Sequence, residues 1–301
     1  MKNIILGTDW WTDCDDAVAL RILLRYAKEK KINFLGIVIN ACMEYSLASV
    51  KGFLTAEGAE DIPLAIDLEA TDFGGKPPYQ KMLAEKFCPD SSNGDAEDAV
   101  RLYRKLLANA PEPVEIIEIG YLQAVTALFE SGADDISDKS GLELVREKVS
   151  KIWVMAGKWD KDGEKENNFC RNERSRVAGK KFCELCPVEV TFLGWEIGFD
   201  VLTGGELAED DLLHQILVAH GSGKGRCSWD PMLTLMALIG DEEKAGYDTV
   251  CGKATLDGET GANYFEVGEN GPHKYVIKKH ENDYYKNMIN NIIKKSRRTS
   301  K

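Results

Sequence analysis

The sequence predicts an α/β protein: a single large domain with a mainly parallel central β-sheet flanked by helices, plus a few late edge strands. Two observations carry this. Short apolar runs alternate with longer amphipathic ones along the chain, as strands do when crossover helices join them. A chain of 301 residues can form one large core or two smaller ones, but it shows no repeat, low-complexity linker or composition break. Residues 1–301 therefore read as one domain, with 295–301 as a frayed basic tail.

In chain order, "NIILGT" (3–8) reads as the first strand, and the acids that follow it open a helix over 15–29. "FLGIVIN" (34–40) is the second strand, followed by a helix over 46–60. Residues 67–94, rich in Gly, Pro and Ser, form an excursion long enough to serve as a lid. A helix over 95–109 leads to the strand "VEIIEIG" (114–120), and a helix over 121–130 follows it. The strand "KIWVMAG" (151–157), a helix over 173–184 and the strand "VEVTFLG" (188–194) continue the alternation. Helices over 210–220 and 230–240 precede a β-rich stretch from "YDTVCGKATL" through "HKYVIKK", the source of the edge strands. A helix over 283–295 closes the fold.

Composition removes several classes of function. A net charge of −12 opposes a nucleic-acid partner, whose phosphates need a basic face, and the terminal "KKSRRTSK" is the sole basic cluster. No run approaches the roughly 20 apolar residues of a membrane span. "MKNIIL" is too short for a signal peptide, because acid follows at once. The eight cysteines show no disulfide or zinc framework; the one C-x-x-C, Cys183 and Cys186, ends a helix rather than starting one. Reduced cysteines imply a cytoplasmic protein.

The chemistry concentrates where strands end. "ILGTDWWTDCDDAVAL" (5–20) holds Asp9, Asp13, Asp15 and Asp16 where a strand hands over to a helix. Two like charges about 4 Å apart repel by roughly 1 kcal/mol in water and by several in a partly buried site. Such crowding calls for a cation or for raised pKa values. In open α/β sheets ligands bind beyond the carboxyl ends of strands. Those ends also supply Asn40 and Glu44, the turn "IGYLQA" with the Ile119 carbonyl, then Glu166 and Asn168, and finally Asp230 of "SWDPM". Such an oxygen-rich set suits Ca²⁺ better than Mg²⁺. The plainer alternatives are helix capping by Asp13, Asp15 or Asp16, and an N-cap at Asp230 with Pro231 after it.

Together these blocks resemble the inosine–uridine-preferring nucleoside hydrolases. "TDWWTDCDDAVAL" resembles the family's aspartate-rich signature, in its longer D-x-x-x-D-x-D-D-A form. "ENNFCRNE" resembles its E-x-N segment, "SWDPM" its late aspartate before proline, and "EIGYLQAV" the turn whose carbonyl binds calcium. The blocks span most of the chain, from residue 4 to about 240. The resemblance implies a Rossmann-like core, a dimer or tetramer, and calcium-dependent hydrolysis of the N-glycosidic bond of ribonucleosides, serving purine salvage.

By that resemblance Asp9, Asp16, Asp230 and the Ile119 carbonyl hold Ca²⁺, and Asp9 is the general base. Asp15, Asn40, Glu166, Asn168 and Asp230 grip the ribose. Trp229, where many members carry histidine, is expected to stack on the base and resembles purine-preferring members. Trp10 and Trp11 replace the family's small proline-glycine turn and either join that stack or lie buried under the lid. Asp13 has no counterpart, nor does the family's asparagine ahead of E-x-N. Two rivals stand beside this reading. A haloacid-dehalogenase-like phosphatase needs D-x-D, and Trp11 occupies the second position. A non-catalytic calcium- or ribose-binding protein would need the ligands without a base.

Overall fold

The computed structural model describes residues 1–294, so the tail expected to fray at 295–301 lies outside the described residues. The strands are β1 (Lys2–Thr8), β2 (Ile32–Ile39), β3 (Leu64–Ile66), β4 (Glu97–Asp98), β5 (Val114–Glu118), β6 (Val149–Met155), β7 (Glu164–Lys165), β8 (Val190–Leu193), β9 (Leu202–Thr203), β10 (Arg226–Cys227), β11 (Tyr247–Leu256), β12 (Ala262–Val267) and β13 (His273–Lys278). Eleven of them form one sheet in the order β4-β3-β2-β1-β5-β6-β8-β13-β11-β12-β7, and β9 pairs with β10 apart from it. From β4 to β13 neighbours run parallel; β11, β12 and β7 extend the edge antiparallel.

β1 lies between β2 and β5 and is buried on both faces. Successive side chains of a strand point to opposite faces. Ile4 and Leu6 accordingly join Ile37, Ile39 and Ile117 in one core, while Ile5 joins Val38, Ile116 and Val154 in the other. Helices Asp15–Lys28, Trp229–Ile239 and Asn282–Ile293 cover the first face; Ala99–Asn109, Gln123–Glu130, Gly141–Lys148 and Glu173–Leu185 cover the second. Among the described residues no helix is long and apolar enough to cross a membrane. All eight cysteines are free, and burial pushes the Cys183 and Cys186 thiols up.

The excursion at 67–94 is more ordered than its composition suggests. It contains the helix Gln80–Phe87, packed so closely on Ser46–Glu57 that a Cβ on Gly52 would lie 2.7 Å from the Leu83 carbonyl. Its first half is tied to the body: Tyr79 Oη donates to the Asp13 carbonyl at 2.7 Å, and Arg174 Nε to Asp72 at 3.1 Å. Sequence reading also passed over β3, β4 and the helix Gly141–Lys148. The strands are too short to show a period. The helix carries a capping box, Ser140 with Glu143, that marks its start.

One histidine makes stability depend on pH. His273 on β13 is 1 % exposed, and its Nδ1 accepts the Ala254 amide at 2.9 Å, which requires a neutral nitrogen. Burial, then the charge of Lys253, lower its pKa from 6.5 to about 4. Between these values the unfolded chain binds a proton that the folded chain refuses. The contribution of His273 to stability is therefore full above pH 6.5 and falls as pH drops toward 4, by a total of about 3 kcal/mol. Denaturant unfolding across that window checks it: His273→Asn, which keeps an acceptor but does not titrate, flattens the slope, and an unchanged slope would refute the assignment.

Candidate active site at the strand ends

The carboxyl end of β1 turns sharply. Trp10 has φ +43°, a left-handed conformation uncommon outside glycine, stabilised by its amide donating to Thr8 Oγ1 at 3.1 Å and to Asp16 Oδ1 at 3.2 Å. The turn sends neighbouring side chains opposite ways. Asp9 enters a cavity of about 380 Å³, lined also by Trp11, Asp13, Asp15, Asp16, Ile119, Glu166, Asn168, Trp229 and Asp230. Trp10 goes into the core, fully buried, donating Nε1 to Ser49 Oγ at 3.0 Å and packing on Phe53 and Tyr79. The expectation that Trp10 stacks on a base is thus corrected: it anchors the loop. Trp11 does line the cavity, 6 % exposed, with Nε1 donating to the Gly74 carbonyl at 2.6 Å.

The crowded acids separate into two kinds. Asp13 has its own cation: Arg226 grips it in a fork, Nε to Oδ1 at 2.7 Å, and the Cys14 amide donates at 2.7 Å. The side chain of Arg226 holds the Asp13 carboxyl below its usual range despite burial. Asp9, Asp15, Asp16 and Asp230 have no ion-pair partner among the described residues. Nor do Asp15 and Asp16 cap their helix, whose N-cap is Cys14. Asp16 accepts from Thr8 and the Trp10 amide, and Asp15 Oδ2 accepts the Asp230 amide at 3.1 Å. Asp230 is not an N-cap either, because its helix starts one residue earlier, at Trp229.

Carboxylate oxygens of Asp15, Asp16 and Asp230 lie within 4.8 Å of one another. Burial, then the charges of neighbouring aspartates (Asp13 for Asp15, Asp9 for Asp16, Asp15 for Asp230), pushes all three well above the usual carboxylate range. Burial likewise raises Asp9 to about 8, with Asp13, Asp15 and Glu166 adding to it against the Trp11 amide. Buried acids in such a group must either hold protons or meet a cation, so the donor set fits a hard metal ion. The tightest trio contains Asp15, which sequence reading assigned to the ribose, with Asp9 facing the same cavity.

After β5 the chain needs glycine. A Cβ on Gly120 would lie 2.3 Å from the Asp9 amide nitrogen and 2.6 Å from Asn40 Oδ1. This close approach brings Ile119 to the cavity, and among the described residues no turn or loop amide donates to its carbonyl. Asn40 does not line the cavity. It is fully buried behind the wall, where Oδ1 accepts the Tyr121 amide at 3.0 Å and Nδ2 finds no partner among the described residues. Its geometry is that of a brace for the turn, which corrects the ribose assignment.

Glu166 and Asn168 enter from the short helix Asn167–Cys170. Glu166 accepts the Asn168 and Gly157 amides, each at 2.9 Å, yet burial still raises it to about 7. Asn168 Nδ2 donates to the Met155 carbonyl at 2.8 Å. Also lining the cavity, Trp229 donates Nε1 to the Trp195 carbonyl at 2.7 Å, and Arg226 lies 5.2 Å from its ring centroid. Sequence reading missed Trp195, Arg171 and Arg226, all of which line the cavity. Only the crowding of acids signalled that a cation was needed, and it did not say which.

No protein-family model and no curated protein matches the sequence. Solved structures do match over nearly the whole chain. A plant nucleoside hydrolase, the PpNRh1 enzyme, superposes with a TM-score of 0.74 at 15% identity, covering 98% of this chain and 99% of that one. The inosine–uridine preferring nucleoside hydrolase from Bacillus anthracis gives 0.69 at 14% identity, covering 98% and 100%. The type III effector protein XopQ, complexed with adenosine diphosphate ribose, gives 0.65 at 16%, covering 97% and 92%. The chain shares the fold of these proteins.

Proposed function

We propose that this protein, folded as nucleoside hydrolases are, cleaves the N-glycosidic bond of ribonucleosides by calcium-dependent hydrolysis to ribose and free base, preferring purine ribosides. The observation that carries the reading is convergence. Asp9, Asp15, Asp16, Ile119, Glu166, Asn168 and Asp230, drawn from four distant stretches, meet in one cavity at the ends of parallel strands.

Cleavage of a ribosyl–base bond passes through an oxocarbenium-like sugar and needs an activated water. Asp9, Asp16, Asp230 and the Ile119 carbonyl would hold Ca²⁺, with Asp15 adjoining them. Bound there, the ion supplies positive charge that keeps these acids ionised and lowers the pKa of water. Asp9 accepts the proton of the attacking water. Asp15, Glu166, Asn168 and Asp230 accept from or donate to the ribose hydroxyls, and their field favours the developing positive charge. A panel of ribonucleosides and 2′-deoxynucleosides, assayed for reducing sugar with and without chelator, tests the reading. Release from ribonucleosides that chelator abolishes is expected; ligand binding without turnover would instead identify a calcium- or ribose-binding protein.

The purine preference rests on Trp229, whose ring is held by the Trp195 carbonyl at Nε1 and by the Arg226 guanidinium beside it. Arg226 already supplies the cation over the indole, so attraction must come from stacking area rather than from a protonated purine. Base–aromatic stacking is worth roughly 1–3 kcal/mol. Trp229→Ala is expected to lower kcat/KM for inosine by about that energy and less for uridine. Equal losses would reduce Trp229 to a wall.

A further inference from the structure

We propose that the cavity carries a subsite for a 5′-phosphate, so that ribonucleoside 5′-monophosphates are better substrates than the nucleosides; this rests on the hydrolase reading above. The carrier is Arg171. It follows Glu166 and Asn168 by less than two helical turns and lines the same cavity. Its guanidinium lies 4.5 Å from the Trp11 ring centroid, and Nε and Nη2 donate to the Phe73 carbonyl at 3.2 and 2.8 Å. Phe73 in turn stacks on Tyr121 at 3.8 Å, and Tyr121 Oη accepts from Asn167 at 3.2 Å. A long exposed side chain is thereby fixed at one place on the rim.

Charge sets this arginine apart from the other one in the cavity. The chain has a net charge of −12. Arg226, the other guanidinium of the cavity, is matched by Asp13. Arg171 has no carboxylate partner among the described residues, although carboxylates crowd the floor nearby. A neutral nucleoside gives a fixed, uncompensated guanidinium at this position nothing to neutralise it; a phosphate dianion does, at the guanidinium end carrying Nη1, which the Phe73 carbonyl leaves free. The segment that carries Arg171 decides where the anion sits. Arg171 shares its segment with the ribose-binding residues Glu166 and Asn168, whereas Trp195 and Trp229 form the base wall. The anion therefore belongs on the sugar.

The reaction balances as hydrolysis. The C1′–N bond breaks with its electron pair leaving on the base, water oxygen bonds to C1′, and one water proton passes to Asp9. The base takes up a proton from solvent, and the products are free base and ribose 5-phosphate. The producing chemistry upstream is any reaction that yields a nucleoside monophosphate.

The test compares inosine with its 5′- and 3′-monophosphates on the full chain in calcium. Wild type is expected to favour the 5′-monophosphate by at least about ten-fold in kcat/KM, the scale of a charge-assisted hydrogen bond, with no gain for the 3′ isomer. Arg171→Gln should lower the 5′-monophosphate-to-inosine ratio by about ten-fold, and Arg171→Lys, which keeps the charge, should restore part of it. Calorimetric titration with ribose 5-phosphate and ribose gives a readout independent of turnover. Arg171-dependent preference for ribose 5-phosphate without any hydrolysis would sustain the subsite and remove the hydrolase reading. Hydrolysis of inosine with no gain from the 5′-phosphate would do the reverse. Equal gains from the 3′ and 5′ isomers, a ratio that Arg171→Gln leaves unmoved, or neither binding nor turnover would overturn the subsite.

Discussion

Asp9→Asn is expected to lower turnover on the preferred ribonucleoside by on the order of 10²–10⁴, the usual scale for a lost acid–base group. Asparagine keeps the shape of the side chain and an oxygen that can still face a cation, but it cannot take a proton. The residue is suited to that role by position. It is the first side chain past β1, 7 % exposed, held by the Trp11 amide donating to Oδ1 at 3.2 Å. Its backbone is clamped between the β1 turn and Gly120, so the carboxylate has little freedom to drift. The separation of base from ligand comes from measuring calcium affinity alongside kcat. If Asp9 acts mainly as base, kcat falls while KM and calcium binding change little. Wild-type turnover in the variant would dismiss Asp9 as the base, and loss of calcium with loss of rate would make it a ligand first.

The inner part of the sheet was readable because its strands are short apolar runs set between longer amphipathic helices, an alternation that shows in the sequence. β3 and β4 were hidden because three and two residues carry no period. The site was legible through its acids, whose repulsion demands an explanation wherever they fold. Its cations were not, since Arg226 reaches Asp13 across 213 positions and nothing local marks either arginine. Trp10 and Trp11 illustrate the limit best. Adjacent and chemically identical, they part company because one φ of +43° points the first into the core and leaves the second on the cavity wall. Asn40 shows the same limit from the other side: a polar residue at a strand end looks like a ligand, and here its hydrogen bond to Tyr121 makes it scaffolding.

Calcium is expected to raise the unfolding temperature by several degrees at pH 8, and by much less at pH 6. Asp9, Asp15, Asp16 and Asp230 are 7 % exposed or less, and all four are pushed upward by burial and by one another, Asp9 to about 8. Without a cation, the folded protein therefore holds protons in this cluster at neutral pH. Binding an ion must release them, so the apparent affinity rises with pH and levels off once pH passes the raised pKa values. The direction follows from the proton count: the ion-free state binds more protons than the loaded one, and lowering pH favours it. An ion that binds only the folded state stabilises it by about 4 kcal/mol at a thousand times its dissociation constant. Thermal melts over a calcium series at pH 6 and 8, with calorimetry in buffers of different ionisation enthalpy to count protons, check both parts. Asp16→Asn and Asp230→Asn should each blunt the shift, and magnesium should produce less of it than calcium, because it demands a stricter octahedral geometry. A melt at pH 8 that calcium leaves unmoved, or a shift of equal size at both pH values with no protons released, would show that the cluster keeps its protons and binds no ion.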